Sequence, residues 1–218
     1  MNRAEEDYIK VIYERTIQAK QPIVKTNELS IHFGFTDQSV NEMIKKLATK
    51  KLVSFVPYHG VSLTEKGRKE AVRMLRAHRL WEVFLTEKLG FAWEDVHADA
   101  ERLEHNTSTM LLDRLDAFLN YPKYCQHGNP IPDKNGHIEP FSTLSIADMD
   151  EGSRMMITRV IDEKELLVFL NKNDLTLHQE ILIEKKDAYN QLIHIKQNNR
   201  TIILSYKTAQ LIFGKHID

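Results

Sequence analysis

The stretch TNELSIHFGFTDQSVNEMIKKLATKKLVSFVPYHGVSLT, residues 26–64, decides the fold of the N-terminal part of this chain. Thr26 and Thr36 are residues that cap helix N-termini, and Gly34 between them suits the left-handed conformation that ends a helix. Two later runs, rich in β-branched and aromatic residues, flank Pro57-Tyr58-His59, which indicates a hairpin. Helix, tight turn, helix and β-hairpin in this order predict a winged helix-turn-helix.

The same region carries an excess of basic residues, although the whole chain has a net charge of only −1. Residues 36–69 contain seven lysines and arginines against three acidic residues, and phosphate contact requires such a local basic patch. We therefore expect the unit to bind double-stranded DNA, protein contact being the alternative use of a winged helix. The predicted DNA-contacting residues belong to the outer side of the second helix and to the hairpin tip: Thr36, Gln38, Ser39, Asn41, Lys45, Lys46, Tyr58 and His59.

Further along the chain, residues 97–105 contain side chains of the kinds that bind metals. If this stretch is helical, spacings of four, seven and eight residues place four of them on one face: His97, Glu101, Glu104 and His105. Such a face is either a solvated helix surface, the commoner fate of charged residues, or a set of nitrogen and oxygen ligands for a divalent cation. This stretch alone leaves both interpretations open.

Two upstream helices carry further candidate ligands. The long helix predicted over residues 65–89 has an apolar stripe interrupted by His78 and Glu82, one turn apart. These two side chains either hydrogen-bond to each other or reach a common metal. The amphipathic helix predicted over residues 4–19 has Asp7 near its start, where a carboxylate ordinarily complements the helix dipole.

Residues 120–141 hold four of the six prolines and read as a loop and linker. This segment carries Cys125 and His127, a thiol and an imidazole two residues apart, which are soft and borderline metal ligands. Because Cys125 is the single cysteine, an internal disulfide is excluded. It is either an inert buried thiol or a functional one.

Beyond Ser142 the pattern changes to short β-type runs separated by polar turns. Five predicted strands indicate a small β-barrel: Met155–Ile161, Leu166–Leu170, Glu180–Ile183, Leu192–Ile195 and Thr201–Ser205. Asp162, at a strand end, is by default a solvated turn residue. We therefore predict an α+β fold with a winged-helix DNA-binding domain (1–70), a helical dimerisation and metal-binding domain with linker (71–141) and a small β-domain (142–218).

Composition places the chain among soluble globular proteins, with 42% hydrophobic and 28% charged residues in 218. The first residues are too acidic for a signal peptide, and no stretch approaches the roughly 20 apolar residues of a membrane span. We therefore expect a cytoplasmic protein with no membrane partner. Residues 110–119 form a helix with more apolar positions than one face needs, which indicates either a homodimer or a helix buried within its own subunit.

Catalytic motifs are missing from the sequence. It has no His-Glu-x-x-His helix, phosphate-cradling glycine loop or nucleophile elbow, and only 8 glycines in all. We therefore expect no enzymatic activity. The serious alternative to metal control is a winged-helix regulator that responds to a small organic effector or to oxidation of Cys125, with the histidine and glutamate clusters serving structure.

Taken together, these segments resemble the diphtheria toxin repressor family. The resemblance covers essentially the whole chain, and its specific parts are Arg102-Leu103-Glu104-His105 and Cys125-Gln126-His127-Gly128-Asn129-Pro130. Asp113-Arg114-Leu115-Asp116-Ala117-Phe118-Leu119 and the winged helix add to it. The chain is most similar to the manganese-responsive members that carry a C-terminal SH3-like domain.

The resemblance implies a homodimeric, metal-activated repressor of metal-uptake genes with two metal sites per subunit. One implied site has His78 as a neighbour and comprises Glu82, Cys125, His127 and Asp162. The other has His78 or His97 as a neighbour and comprises Asp7, Glu101, Glu104 and His105.

Two residues depart from the family pattern. Lys10 stands one turn after Asp7, where some manganese regulators of the family have a glutamate, and this argues against a closely spaced binuclear pair. Glu101 occupies a place where iron-responsive members tend to have cysteine, and its harder oxygen favours manganese. We therefore expect Mn²⁺ as the physiological activator, with Fe²⁺, Zn²⁺ and Cd²⁺ also able to bind.

Overall fold

The computed structural model describes residues 1–19 and 22–217, which divide into two compact units. The first unit comprises residues 1–78, 101–114 and 132–138. The second comprises residues 79–100, 115–131 and 139–218. The first unit begins with three helices and a hairpin: α1 (Arg3–Ala19), α2 (Thr26–Phe33), α3 (Asp37–Thr49), β1 (Val53–Val56) and β2 (Gly60–Leu63).

The turn between α2 and α3 has the predicted chemistry. Gly34 ends α2 with a φ of 67°, and its N–H donates to Ser30 O. The Thr36 hydroxyl caps α3 by accepting from Ser39 N at 3.3 Å. Thr26, expected as a cap, is instead the first residue of α2. β1 and β2 pair antiparallel from Val53↔Leu63 to Val56↔Gly60, so the predicted winged helix-turn-helix is confirmed.

The next three helices each contribute residues to both units: α4 (Glu65–Leu89), α5 (His97–Glu104) and α6 (Thr109–Phe118). The prediction that one helix runs through His105 is wrong by one residue, because α5 ends at Glu104 and His105 lies in the following turn. On α6, Leu112 and Leu115 are buried, whereas Met110 and Phe118 are 74% and 62% exposed.

The C-terminal part of the second unit is a five-stranded antiparallel sheet in the order β6-β5-β4-β3-β7. Its elements are β3 (Arg154–Val160), α7 (Lys164–Lys172), β4 (Glu180–Asp187), β5 (Leu192–Gln197), β6 (Arg200–Ser205), α8 (Tyr206–Ala209) and β7 (Ile212–Ile217). Within residues 22–217, β6 and β7 remain the two edges of the sheet, so the described strands form an open sheet without the barrel closure that the sequence predicts.

One predicted strand is wrong and one strand was missed. Leu166–Leu170 is part of helix α7, where Leu166, Leu167 and Leu170 are buried at helical spacing. A short apolar run does not distinguish a buried strand from one side of a short helix. β7 was missed because Gly214, Lys215 and His216 interrupt its apolar pattern. In the part of the chain that the structure describes, no helix is long and apolar enough to cross a membrane.

Candidate metal centres

The second unit contains a compact group of potential ligands, here called the thiol set: Glu82, Cys125 and His127. One ligand atom from each residue lies within 4.8 Å of the others, and the exposed fractions are 2%, 5% and 0%. Glu82 comes from α4, and the other two come from the loop after α6. A tight turn forms this loop, since Cys125 N donates to Asn129 O and Gly128 N donates to Cys125 O, both at 2.9 Å.

The His127 ring is oriented by a backbone group. Its Nε2 lies 2.9 Å from Trp93 O, which only accepts hydrogen bonds, so Nε2 carries the proton. In the neutral ring Nδ1 then has the lone pair, and it lies 3.4 Å from Glu82 Oε1 without hydrogen-bond geometry. A buried imidazole nitrogen that faces a carboxylate, while a carbonyl holds the other ring nitrogen, is the arrangement of a metal ligand, and metal binding would release a proton held on Nδ1.

Electrostatics in the thiol set reflect close packing of ionisable groups. Burial raises the pKa of the Cys125 thiol, and the charge of Glu82 raises it further. Burial alone would lower the pKa of His127, but the neighbouring Cys125 and Glu82 groups raise it to about 11. Sulfur, nitrogen and oxygen donors gathered in so small a volume fit a borderline divalent cation, whose charge would offset the mutual repulsion of the two acidic groups.

Asp162 and His97 lie beside the thiol set. Asp162 follows β3, and its Oδ1 is 3.7 Å from His127 Nε2. His97, at the start of α5, hydrogen-bonds through Nδ1 to Asp162 Oδ2. Potential ligand atoms of Glu82, His97 and Asp162 again lie within 4.8 Å of one another. The prediction that Asp162 is by default a solvated turn residue is therefore wrong, because its side chain is only 16% exposed.

The first unit contains a separate group, here called the carboxylate set: Asp7, Glu104 and His105. His105 Nε2 lies 3.0 Å from Asp7 Oδ1 and 3.7 Å from Glu104 Oε1, and it lacks hydrogen-bond geometry with either oxygen. The other ring nitrogen, Nδ1, is 2.7 Å from Glu6 Oε2. As in the thiol set, one nitrogen of the histidine is held by an oxygen while the other faces potential co-ligands.

Two side chains next to the carboxylate set engage Glu104. The Lys10 ammonium lies 2.8 Å from both Glu104 oxygens, and His78 Nδ1 lies 2.5 Å from Oε2. Burial alone would raise the pKa of Glu104, but His78 and Lys10 lower it overall. For Lys10 the directions are reversed: burial alone would lower its pKa, but the nearby carboxylates, chiefly Glu104, raise it. Glu104 is therefore a fully buried, charged carboxylate that already faces one cation.

Glu101 is less closely associated with this group than the spacing predicts. Its Oε1 lies 3.8 Å from Arg3, and its side chain is 36% exposed. Burial raises the pKa of Asp7, His105 lowers it, and the charge of Glu101 raises it by a smaller contribution. Glu101 thus acts on the carboxylate set through its charge. His78 lies with Glu104 in the first unit, one helical turn before Glu82 in the sequence of α4.

Several contributing groups were not found from the sequence. Glu6 orients His105, and the Trp93 carbonyl orients His127. A backbone carbonyl leaves no mark in a sequence pattern, and Glu6 is indistinguishable from the other acidic residues in the first turn of α1.

The predicted DNA-contacting side chains are mostly exposed. Seven of the eight are exposed and Asn41 is half-buried. Two have roles within the fold: Thr36 caps α3, and the Lys46 ammonium lies 3.0 Å from the buried carboxylate of Glu5 on α1. At the wing tip, Tyr58 is fully exposed and has a φ of 66°. The outer side of α3 and the wing thus remain accessible to a nucleic acid.

Comparisons with known proteins agree with these features. The iron dependent repressor N-terminal DNA-binding domain matches residues 1–61, and the iron dependent repressor metal-binding and dimerisation domain matches residues 64–133. An uncharacterized HTH-type transcriptional regulator of Methanocaldococcus jannaschii is 37% identical over 119 residues, which cover 55% of this chain and 94% of that protein. The iron-dependent repressor IdeR of Mycobacterium leprae is 24% identical over 220 residues, covering 95% and 94%.

Solved structures give the same result over the whole chain. A manganese-dependent transcriptional repressor in complex with manganese has a TM-score of 0.88 at 30% identity, covering 98% of this chain and 100% of that one. ScaR with bound Cd²⁺ has a TM-score of 0.87 at 32% identity and covers both chains fully. This chain therefore belongs to the diphtheria toxin (iron-dependent) repressor family and is a metal-responsive DNA-binding transcriptional repressor, not an enzyme.

Proposed function

We propose that this protein is a manganese-activated, homodimeric repressor of metal-uptake genes that binds double-stranded operator DNA in the cytoplasm. The observation that carries the proposal is the presence of two donor sets, one buried and one partly buried, each with an imidazole nitrogen facing carboxylate oxygens and oriented by a second hydrogen bond. Similar chains have been solved with manganese, with Cd²⁺ and with Zn²⁺, which supports a divalent cation as corepressor.

Each subunit is proposed to hold two cations. Glu82, Cys125 and His127 would hold the first. Asp162, which the resemblance also assigns to this site, faces the Nε2 side of His127 and lies with His97 beside the set. Asp7, Glu104 and His105 would hold the second, with Glu101 contributing charge and His78 positioning Glu104. Because Lys10 engages both oxygens of Glu104, a single cation suits the second site better than a close pair of cations.

Manganese is the proposed physiological metal because oxygen donors dominate the carboxylate set. The Cys125 thiol also suits Fe²⁺, Zn²⁺ and Cd²⁺, which bind most sites more tightly than Mn²⁺ according to the Irving–Williams order. We therefore expect these metals to bind as well, with selection resting on the carboxylate set and on metal availability. Operator binding that responded to iron alone would contradict this assignment.

The outer side of α3 and the wing are the proposed DNA interface, because they are accessible and lie in a locally basic region. We retain three functional segments, residues 1–70, 71–141 and 142–218, and infer that the sheet in the third is an SH3-like module. The exposed apolar residues of α6, Met110, Leu111 and Phe118, are the proposed dimer contact.

Metal binding would act by joining segments that are distant in the sequence. The carboxylate set takes Asp7 from α1, Glu104 from the end of α5 and His105 from the turn that follows. The thiol set joins α4 to the loop after α6. A cation biases the protein toward one arrangement only by binding that arrangement more tightly, and such couplings are typically about 1–3 kcal/mol. The dimer could then present two recognition helices roughly 34 Å apart, the spacing of successive major grooves.

Fluorescence anisotropy on DNA from upstream of its own gene tests the proposal. The purified protein is titrated with Mn²⁺ at fixed salt and then treated with a chelator, with Mg²⁺ as the control cation. We expect binding that appears with Mn²⁺, reverses with the chelator and is weakened by Glu104→Ala. Binding that is indifferent to metal would overturn the proposal.

Cys125→Ser separates metal control from redox control. If Cys125 is a ligand, the substitution weakens metal binding; if Cys125 is a sensor, it removes a response to peroxide and leaves metal binding intact. The structure favours the ligand role, because the thiol is 5% exposed and burial raises its pKa, whereas reactive thiols have a lowered pKa and are accessible.

A further inference from the structure

The loop that carries Cys125 and His127 is held against strand β3 by backbone contacts. Val160 N donates to His127 O at 2.9 Å, and the Asn129 amide donates to Val160 O at 3.3 Å. Gly128, with a φ of 77°, lies so close to the strand that an added Cβ would be 2.0 Å from Thr158 O. The pairing of β3 with β7 shifts register at this point, between Ile157 and Arg159. The loop therefore rests on an irregular part of β3.

One buried side chain of β3 reaches into this contact. Arg159 is 6% exposed; its Nη1 donates to Asn129 Oδ1 at 3.3 Å, and its Nε donates to Ser142 O at 3.4 Å. The guanidinium lies over the Phe213 ring at 3.8 Å and the Phe141 ring at 5.3 Å. In the part of the chain that the structure describes, no carboxylate forms an ion pair with it.

Packing alone does not account for an arginine at this position. A buried charge without a partner of opposite sign is costly, and an unbranched apolar side chain would fill the space between the two rings at lower cost. Burial and the charge of Arg79 lower the pKa of Arg159 to about 10, so the side chain is still charged at neutral pH. Beyond an apolar side chain, the guanidinium provides cation–π attraction to the two rings and a pair of directed hydrogen bonds. Only the hydrogen bonds act on the loop, because one of them holds Asn129.

We propose that Arg159 is a positioning residue for the thiol set: through Asn129 it fixes the turn that aims Cys125 and His127 at Glu82. The inference rests on the proposed metal site. Asn129 O closes the turn by accepting from Cys125 N at 2.9 Å, so displacement of Asn129 also displaces the Cys125 backbone. Residues that hold metal ligands in place typically change metal affinity about 10- to 100-fold when they are replaced.

Co²⁺ titration tests the proposal, because a cobalt-bound thiolate gives a charge-transfer absorption that reports this site alone. We expect Arg159→Met, which keeps apolar contact with the rings, to weaken Co²⁺ binding at the thiol set about 10- to 100-fold. Arg159→Lys, which keeps a donor, should recover part of the loss. Wild-type affinity in both variants would overturn the proposal.

Two further variants distinguish positioning from general stability. Leu204→Ala removes buried apolar volume from the same sheet and should lower stability without changing Co²⁺ affinity. An equal loss of affinity in this control would overturn a specific role for Arg159. Asn129→Ala should weaken Co²⁺ binding like Arg159→Met, and the double variant should lose no more than either single one; additive losses would contradict the route through Asn129.

The same titration separates this inference from the proposed function. If the unaltered protein gives no thiolate-to-cobalt absorption, and Cys125→Ser changes nothing, the thiol set is not a metal site and the proposed function fails. If the unaltered protein gives the absorption and the Arg159 variants bind Co²⁺ with the same affinity, the metal site stands and the positioning role alone fails.

Discussion

The Lys10 ammonium already acts as a cation for the carboxylate set. It lies 2.8 Å from both oxygens of Glu104, whose side chain is 0% exposed, and Lys10 itself is 11% exposed. Removing one member of a buried ion pair costs about 3–5 kcal/mol when the other charge is left without compensation. His78 still contacts Glu104 at 2.5 Å, so we expect Lys10→Met to lower the free energy of unfolding of the metal-free protein by up to this amount in urea titrations.

Added metal should reduce that loss. If a cation binds Glu104 in the folded state only, Mn²⁺ stabilises Lys10→Met by mass action and recovers part of the difference from the unaltered protein. The matched control is Lys164→Met, which removes an exposed ion pair with Asp95 at 2.8 Å and should leave stability unchanged. Equal stabilities for the two variants would show that the Glu104 charge is not held by Lys10.

The sequence singles out the three residues of the carboxylate set, which the structure brings together, but not the contacts that orient them. Asp7, Glu104 and His105 stand out because their residue types and positions match a recognised pattern. Lys10 is visible as a departure from that pattern, yet only the folded chain shows that it binds Glu104. Contacts of α1 with Glu104 and His105 cannot be read from local spacing, since 94 and 99 residues separate the partners.

At the scale of elements, the contact between the Cys125–Asn129 loop and β3 requires a close approach of the two backbones at Gly128. We expect Gly128→Ala to abolish the thiolate-to-cobalt absorption at Co²⁺ concentrations that saturate the unaltered protein. The added Cβ would overlap Thr158 O, and the φ of 77° is unfavourable for alanine by roughly 1–2 kcal/mol. Gly152→Ala is the control, because Gly152 has a φ of 80° but nothing within 4 Å of an added Cβ. If both variants lost the absorption, the cost of a positive φ for alanine would explain the loss, and close packing of the loop against β3 would not be needed to explain it.

Helices α1 and α3 are joined by a buried charge. The Glu5 side chain is 0% exposed and lies 2.8 Å from Lys50 and 3.0 Å from Lys46, and these lysines, Lys50 first, lower its pKa to about 2. We expect Glu5→Gln to lower the free energy of unfolding by about 2 kcal/mol, because hydrogen bonds to charged groups contribute more than neutral ones. Metal-dependent operator affinity should fall as well, since α3 is the proposed recognition helix.

Urea titration and operator anisotropy measure the two effects separately. Glu65→Gln is the matched control: its pair with Lys69 spans 3.8 Å and both side chains are more than three-quarters exposed. Operator affinity that stayed constant in Glu5→Gln, despite lower stability, would show that α1 does not hold α3 in its DNA-binding position.

Elements with strong local signals were predicted, and those that depend on tertiary context were not. Thr36 and Gly34 specify the turn between α2 and α3 through backbone chemistry that acts locally. By contrast, Leu166–Leu170 forms a helix whose leucines pack into the same core as the sheet, and β7 pairs with β3 despite a mixed pattern. Both elements depend on the surface against which they pack, and the periodicity of the sequence carries no information about that surface.

At the scale of the whole molecule, the exposed side of α6 is the proposed contact between two chains. Phe118 is 62% exposed, with its ring 6.1 Å from that of Phe84. If α6 is the dimer contact, Phe118→Lys places a charge in an apolar interface, and aromatic residues buried at such interfaces commonly contribute about 2 kcal/mol or more. We therefore expect the dimer dissociation constant, measured by sedimentation equilibrium, to rise at least about tenfold.

The same variant separates dimerisation from metal binding. Because the thiol set lies within one chain, Phe118→Lys should leave the thiolate-to-cobalt absorption intact while operator affinity falls, since a monomer contacts only one half-site. Tyr189→Lys, at a 95% exposed position between β4 and β5, should change neither the cobalt absorption nor the operator affinity. An unaltered dissociation constant for Phe118→Lys would move the dimer contact away from α6, whereas loss of the cobalt absorption would mean that the second subunit is needed to complete the metal site.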